Sequence, residues 1–122
     1  MLEKYKRAYR VKLGVMPTMR YIAPRPHLYS PDIALDMKKD VFAKLDEMGV
    51  DYVNIDFLND TGMIFNENDA EEVAEYFRTK HVDALFIPFC NFGSEGAISR
   101  VAKMLGLPTL IWAPRDPLPP AN

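Results

Sequence analysis

Cysteine and histidine are nearly missing from this sequence of 122 residues: Cys90 is the sole thiol, and His27 and His81 are the only imidazoles. One cysteine forbids an intramolecular disulfide and a thiolate-based zinc site, and it is what a reducing compartment permits. No His-x-x-x-His, Glu-x-x-His or Cys-x-x-Cys pattern occurs, so the chain lacks metal-ligand spacing. An excess of one charge is missing as well. With 15 Lys and Arg against 17 Asp and Glu, the net charge is -2, which gives no global field toward nucleic acid or an anionic membrane. Long apolar runs are absent: nothing approaches the ~20 residues of a membrane span. The opening Met1 to Arg10 is basic but has no apolar core region, so it does not read as a signal peptide. A cytoplasmic protein without nucleic-acid or membrane partners is expected. Neither Gly-x-Gly-x-x-Gly nor Gly-x4-Gly-Lys-[Ser/Thr] occurs, which lowers the case for dinucleotides and nucleoside triphosphates.

What is present suits one globular domain. Hydrophobic residues make up 48% and charged residues 26%, close to the usual mix, and the length falls in the common single-domain range. Four prolines crowd the last nine residues, Pro114 to Asn122, and each fixes φ and removes a donor, so regular structure should stop there. The sequence therefore divides into a basic extension (1–11), an α/β domain (12–113) and a proline-rich exit linker (114–122).

Within the domain, strand and helix patterns alternate. Lys12 to Pro17 is a short apolar strand that proline should end. Ser30-Pro31-Asp32 reads as a helix start, with a cap, a first-turn proline and a dipole-favoured acid. Ala34, Met37, Val41, Leu45 and Met48 then share one helical face, and Gly49 stops the helix. Asp51 to Leu58 alternates polar with apolar residues, the pattern of an outer strand. Asn68-Asp69 with Glu71 and Glu72 resembles a capping box, opening a helix that buries Val73, Ala74 and Phe77 and ends near Lys80. Ala84 to Phe89 is continuously apolar, as in a central strand covered on both faces. Ala97, Ile98, Val101, Ala102 and Leu105 mark a third helix closed by Gly106, and Pro108 to Trp112 is a fourth strand.

These are right-handed βαβ units on a parallel sheet. The expected fold is a three-layer α/β sandwich with an open sheet of four or five strands, flavodoxin-like or Rossmann-like, in the order 2-1-3-4. The gap between the first and third strands is then a topological switch point, where ligands of such sheets bind outside the carboxyl ends. Three loops converge there: Pro17 to Arg20, Phe89 to Glu95, and Ala113 to Asp116. Asn91 offers both a donor and an acceptor, Gly93 permits a tight turn, and Ser94 can cap. That set suits hydroxyl groups, whereas Glu95 in the first helical turn opposes a phosphate dianion.

Each candidate has a plainer reading beside the functional one. Glu95 is a cap favoured by the helix dipole or a ligand contact. Cys90 is a small buried apolar residue or a nucleophile. Arg20 is a solvated loop residue or a substrate or interface contact, and Arg115-Asp116 reads as an ion pair fixing the last turn. His81 sits at a helix end, where a cation is favourable, and His27 in a proline loop; both are isolated. Asp56, Asn59 and Asp60 could gather round Mg²⁺, but the first strand lacks the paired acids of such sites.

Three stretches together carry a resemblance: Lys12-Leu13-Gly14-Val15-Met16-Pro17, Ile87 through Cys90-Asn91-Phe92-Gly93-Ser94-Glu95, and Leu107-Pro108-Thr109-Leu110-Ile111-Trp112-Ala113-Pro114-Arg115-Asp116. They resemble the amino-terminal domain of the L-fucose and L-arabinose isomerase-like superfamily. The resemblance implies a metal-dependent aldose–ketose isomerase, with Mn²⁺ or a similar cation holding two sugar oxygens while a carboxylate moves a proton between adjacent carbons. It places the metal ligands and proton-transfer acids in later domains, so no catalytic residue is carried over and this chain alone is expected to be inactive. It implies an assembly surface, a homo-oligomer, a pentose or 6-deoxyhexose substrate, and accessory sugar contacts at Arg20, Cys90, Asn91, Phe92 and Glu95. Where the fucose enzyme has an aromatic residue in the loop, this sequence places Cys90 or Asn91. A free-standing sugar-binding or assembly module of the same fold is the alternative, and a small hydrolase using Cys90 a third.

Overall fold

A computed structural model describes residues 10–20, 31–91 and 93–113. Ser30, His27, Phe92, Arg115, Asp116, the proline-rich tail and most of the basic extension lie outside the described residues. The element order is β1 (Lys12–Val15), β2 (Thr18–Met19), α1 (Pro31–Glu47), β3 (Asp51–Val53), a 3-10 turn (Glu67–Asp69), α2 (Ala70–Thr79), β4 (Ala84–Asn91), α3 (Glu95–Leu105) and β5 (Thr109–Trp112).

Every strand pairing is parallel. β1 pairs β3 on one side and β4 on the other, and β4 pairs β5. The four longer strands thus run β3-β1-β4-β5, the order the alternation predicts. β2 is an addition to that expectation: it lies beside the far end of β4, with Thr18 opposite Phe89, in the register that β1 begins with Val15 opposite Phe86. It continues the β1 edge after an interruption. Proline does break the ladder here, but for two residues rather than for good. The Leu85 N–H donates to the Pro108 carbonyl on the β5 side. Because amides alternate sides along a strand, the nitrogen of Pro88, which bears no hydrogen, faces β1 at the interruption. Pro17 still serves the sheet through its carbonyl, which accepts from Ile64 N–H at 2.9 Å.

The strand expected over 51–58 stops at Val53, because the Asn54 side chain turns back to accept from Asp56 N–H at 3.1 Å and bends the backbone. The expected capping box is also replaced. Asn66 caps a 3-10 turn by accepting from Asn68 N–H, and α2 follows with no side-chain cap from Asp69.

Side-chain alternation assigns the two faces. Met16, Leu85 and Ile87 bury against Val73, Ala74 and Phe77 of α2 and Ala97, Ile98 and Val101 of α3. Val15, with half-buried Leu13 and Phe86, packs against Val41 and Leu45 of α1. Among the described residues this puts one helix on one face and two on the other. Met48 departs from its expected buried stripe: it lies beyond the end of α1 and is 65% exposed. α1 ends in a Schellman motif, with Gly49 N–H on the Asp46 carbonyl, Val50 N–H on the Leu45 carbonyl and Gly49 at φ 69°. α2 ends the same way, but the left-handed position is held by His81 at φ 57°.

Candidate functional site at the carboxyl edge

β1 leads to α1 on one face of the sheet and β4 to α3 on the other, so the crevice between their carboxyl ends is the switch point. A cleft of about 420 Å³ opens there, lined by Arg20, Phe89, Gly93, Ser94, Glu95 and Gly96. Arg20 follows β2 directly and is exposed, and Glu95 begins α3, also exposed. Two of the predicted contacts, far apart in sequence, therefore share one cavity.

The turn between β4 and α3 is held by a small polar knot. Thr18 is the one buried polar side chain among the described residues. Its hydroxyl donates to the Ile64 carbonyl at 2.7 Å and accepts from Ser94 N–H at 3.2 Å. The Ser94 hydroxyl lies 2.9 Å from the Met19 carbonyl and 3.2 Å from that of Phe65; having one proton, it donates to one of them at a time. Ser94 therefore does not cap α3 through its side chain. It ties the loop back to β2 and sets the distance between Arg20 and Glu95. No local pattern marks Thr18, because Pro17 ends the apolar run before it. Gly93 must be glycine for reasons of space: a Cβ there would lie 2.6 Å from the Phe89 ring.

Cys90 points the other way. Its side chain is buried in a cluster with Met19, Ala34 and Met63 under α1, its Sγ is 3.8 Å from the Pro88 carbonyl, and burial pushes the thiol up to about 12. A thiol held neutral cannot serve as a nucleophile near neutral pH. Asn91 ends β4 opposite Met19.

Electrostatics favour neutral, hydroxylated ligands. Glu95 occupies the first turn of α3, and the Glu67 carboxylate reaches the same turn, where its Oε2 would meet a Gly96 Cβ at 3.2 Å. Two carboxylates at the positive helix end oppose a phosphate. Of the candidate cation ligands after β3, Asp56 accepts from Lys38 Nζ at 2.7 Å, and the Asn59 carboxamide oxygen accepts from the Thr61 and Gly62 N–H groups. Among the described residues no group of three or more His, Cys, Asp or Glu comes together, so these residues do not fit a resident divalent cation. Among them, too, no helix is long and apolar enough to cross a membrane.

The fold and cleft define a parallel α/β domain with a polar crevice at its switch point. Residues 21–121 match the family model for the fucose/sulfoquinovose isomerase N-terminal domain. The chain belongs to that family. No curated protein and no solved structure matches it significantly.

Proposed function

We propose that this chain is the amino-terminal, accessory domain of a metal-dependent aldose–ketose isomerase acting on a pentose or 6-deoxyhexose. It supplies an assembly surface to a cytoplasmic homo-oligomer and a few polar contacts to the sugar. The observation that supports this most is the convergence of Arg20 and Glu95 on one cleft beside the Ser94 turn. A guanidinium donates and a carboxylate accepts, and together they suit the adjacent hydroxyls of a sugar better than a lone anion. Mn²⁺ or a similar cation, when bound, supplies the Lewis acid for proton transfer between neighbouring carbons, and its ligands come from outside these residues. Asn91 and Phe92 belong to the proposed contact surface by the family resemblance alone. Cys90 contributes through its backbone, since its thiol faces the core.

Two measurements test the reading. With Mn²⁺ and L-fucose, D-arabinose or L-arabinose, the purified chain shows no turnover, and detectable isomerisation would refute the assignment of catalysis elsewhere. Calorimetric titration with L-fucose gives weak, millimolar binding that Arg20→Ala and Glu95→Gln each abolish; equal binding by both variants would remove the cleft from the account.

A further inference from the structure

Residues 54–66 connect β3 to the 3-10 turn along the carboxyl edge of the sheet, a longer path than the usual strand-to-helix loop of about 2–6 residues. The far end of this connection enters the polar knot. Ile64 forms a parallel bridge with Thr18, giving its N–H to the Pro17 carbonyl and accepting from the Thr18 hydroxyl. The Phe65 carbonyl stands 3.2 Å from the Ser94 hydroxyl. The cleft wall that carries Ser94 and Glu95 therefore leans on Ile64 and Phe65, neither of which lines the cleft.

The near end of the connection is held by one side chain of α1. Lys38 Nζ donates to Asp56 Oδ1 at 2.7 Å and to the Thr61 carbonyl at 2.9 Å. The lysine side chain is only 15% exposed, so salt screens this contact little, and a charged donor makes stronger hydrogen bonds than a neutral one. Gly62 follows at φ 62°, and a Cβ there would run into both Asp56 Oδ1 and Lys38 Nζ. Asn59 bridges the two ends. Its carboxamide oxygen accepts from the Thr61 N–H, and its carboxamide nitrogen donates to the Met63 carbonyl at 2.9 Å. Met63 is itself buried beneath α1 with Ala34 and Cys90. Contacts thus run without a gap from Lys38 to Ser94.

We propose that Lys38 is a positioning residue for the cleft. Its ammonium clamps Asp56 and Thr61 to α1, and through Asn59, Met63 and Ile64 it fixes the carbonyls against which Thr18 and Ser94 set the start of α3. Lys38 lies outside the cleft and acts only through these residues. Its effect on sugar binding rests on the reading of the cleft as the sugar site; its effect on the geometry of the Ser94 turn does not. Coupling of this kind requires that releasing one end displaces the other.

Amide chemical shifts of the folded full chain test this, because they report position rather than stability. Lys38→Met keeps the apolar stem and removes the ammonium. It moves the Ile64 and Ser94 amide signals as their bonds to the Pro17 carbonyl and the Thr18 hydroxyl change length, and leaves Phe77 in α2 in place. Gly62→Ala, which disturbs the clamp from the other side, moves the same two signals. Gly49→Ala shares the left-handed strain but touches nothing, and leaves them unmoved. Lys38→Cys in a Cys90→Ala background, alkylated with 2-bromoethylamine, regains an ammonium at nearly the lysine length and returns both signals. Ile64 and Ser94 signals unmoved in Lys38→Met, or moved equally by Gly49→Ala, overturn the proposal. In a titration with L-fucose, Lys38→Met binds about fivefold more weakly than the unsubstituted chain; equal affinity with the two amides displaced also overturns it. If the unsubstituted chain binds no L-fucose, the sugar reading fails and the ligand-free shifts alone decide the clamp.

Discussion

Removing the Thr18 hydroxyl tests whether the polar knot holds the cleft together. Thr18→Val keeps the shape and the branched Cβ but deletes one donor and one acceptor at a fully buried position. The Ile64 carbonyl retains the Met19 N–H, at 3.4 Å. The Ser94 N–H loses the acceptor it had at 3.2 Å. Stranding a buried donor costs about 1–3 kcal/mol; Ser94 is half-buried, and with the Thr18 hydroxyl's own bond to Ile64 also lost, a loss of about 2 kcal/mol is expected. Thr18→Ser keeps both hydrogen bonds and gives up one methyl, about 1 kcal/mol. Urea unfolding at constant slope measures both. If Thr18→Val costs less than about 0.5 kcal/mol, as an ordinary surface change does, or if serine proves worse than valine, the knot does not hold the turn.

Other outcomes follow from backbone and burial. Gly62→Ala is expected to cost clearly more than Gly49→Ala: both pay about 1–2 kcal/mol for the left-handed conformation, but a Cβ at Gly62 collides with Asp56 Oδ1 and Lys38 Nζ, whereas at Gly49 it meets open space. Equal thermal destabilisation would contradict the packing around Lys38. His81→Gly should stabilise the fold by about 0.5–1 kcal/mol in denaturant melts by relieving the left-handed position at the end of α2; a loss would show that His81 makes contacts that outweigh the strain. Burial raises the Cys90 thiol from its ordinary 9.0 to about 12. The folded state therefore keeps a proton that the unfolded state releases, and this stability is complete below pH 9 and falls by about 1.4 kcal/mol per pH unit from there toward 12. Cys90→Ala should lack that component of the alkaline loss, and an identical pH profile would refute the burial.

The alternation of elements and the central place of β4 were legible because both faces of that strand are covered, and the run Ala84 to Phe89 says so directly. The edge position of β3 was equally plain in its polar alternation. What escaped detection depended on partners distant in sequence. β2 exists because Ile64 supplies a donor to the Pro17 carbonyl, and no local pattern around Pro17 announces that. Ser94 is a residue type that caps helices, but its hydroxyl is taken up by the Met19 and Phe65 carbonyls and makes no cap hydrogen bond. The pairing of Arg20 with Glu95 in one cleft could be read from topology alone. Cys90 keeps the alternation of β4, two positions past Pro88, but its burial depends on Met19, Ala34 and Met63, which are distant in sequence.

The cleft is the claim on which the functional account stands, and amide chemical shifts in a titration with L-fucose test it most directly. Perturbations concentrated at Arg20 and Gly93 to Gly96, with the exposed β5 residues Leu110 and Trp112 unmoved, are the predicted result. Shifts confined to β5, or none at saturating sugar, would contradict it.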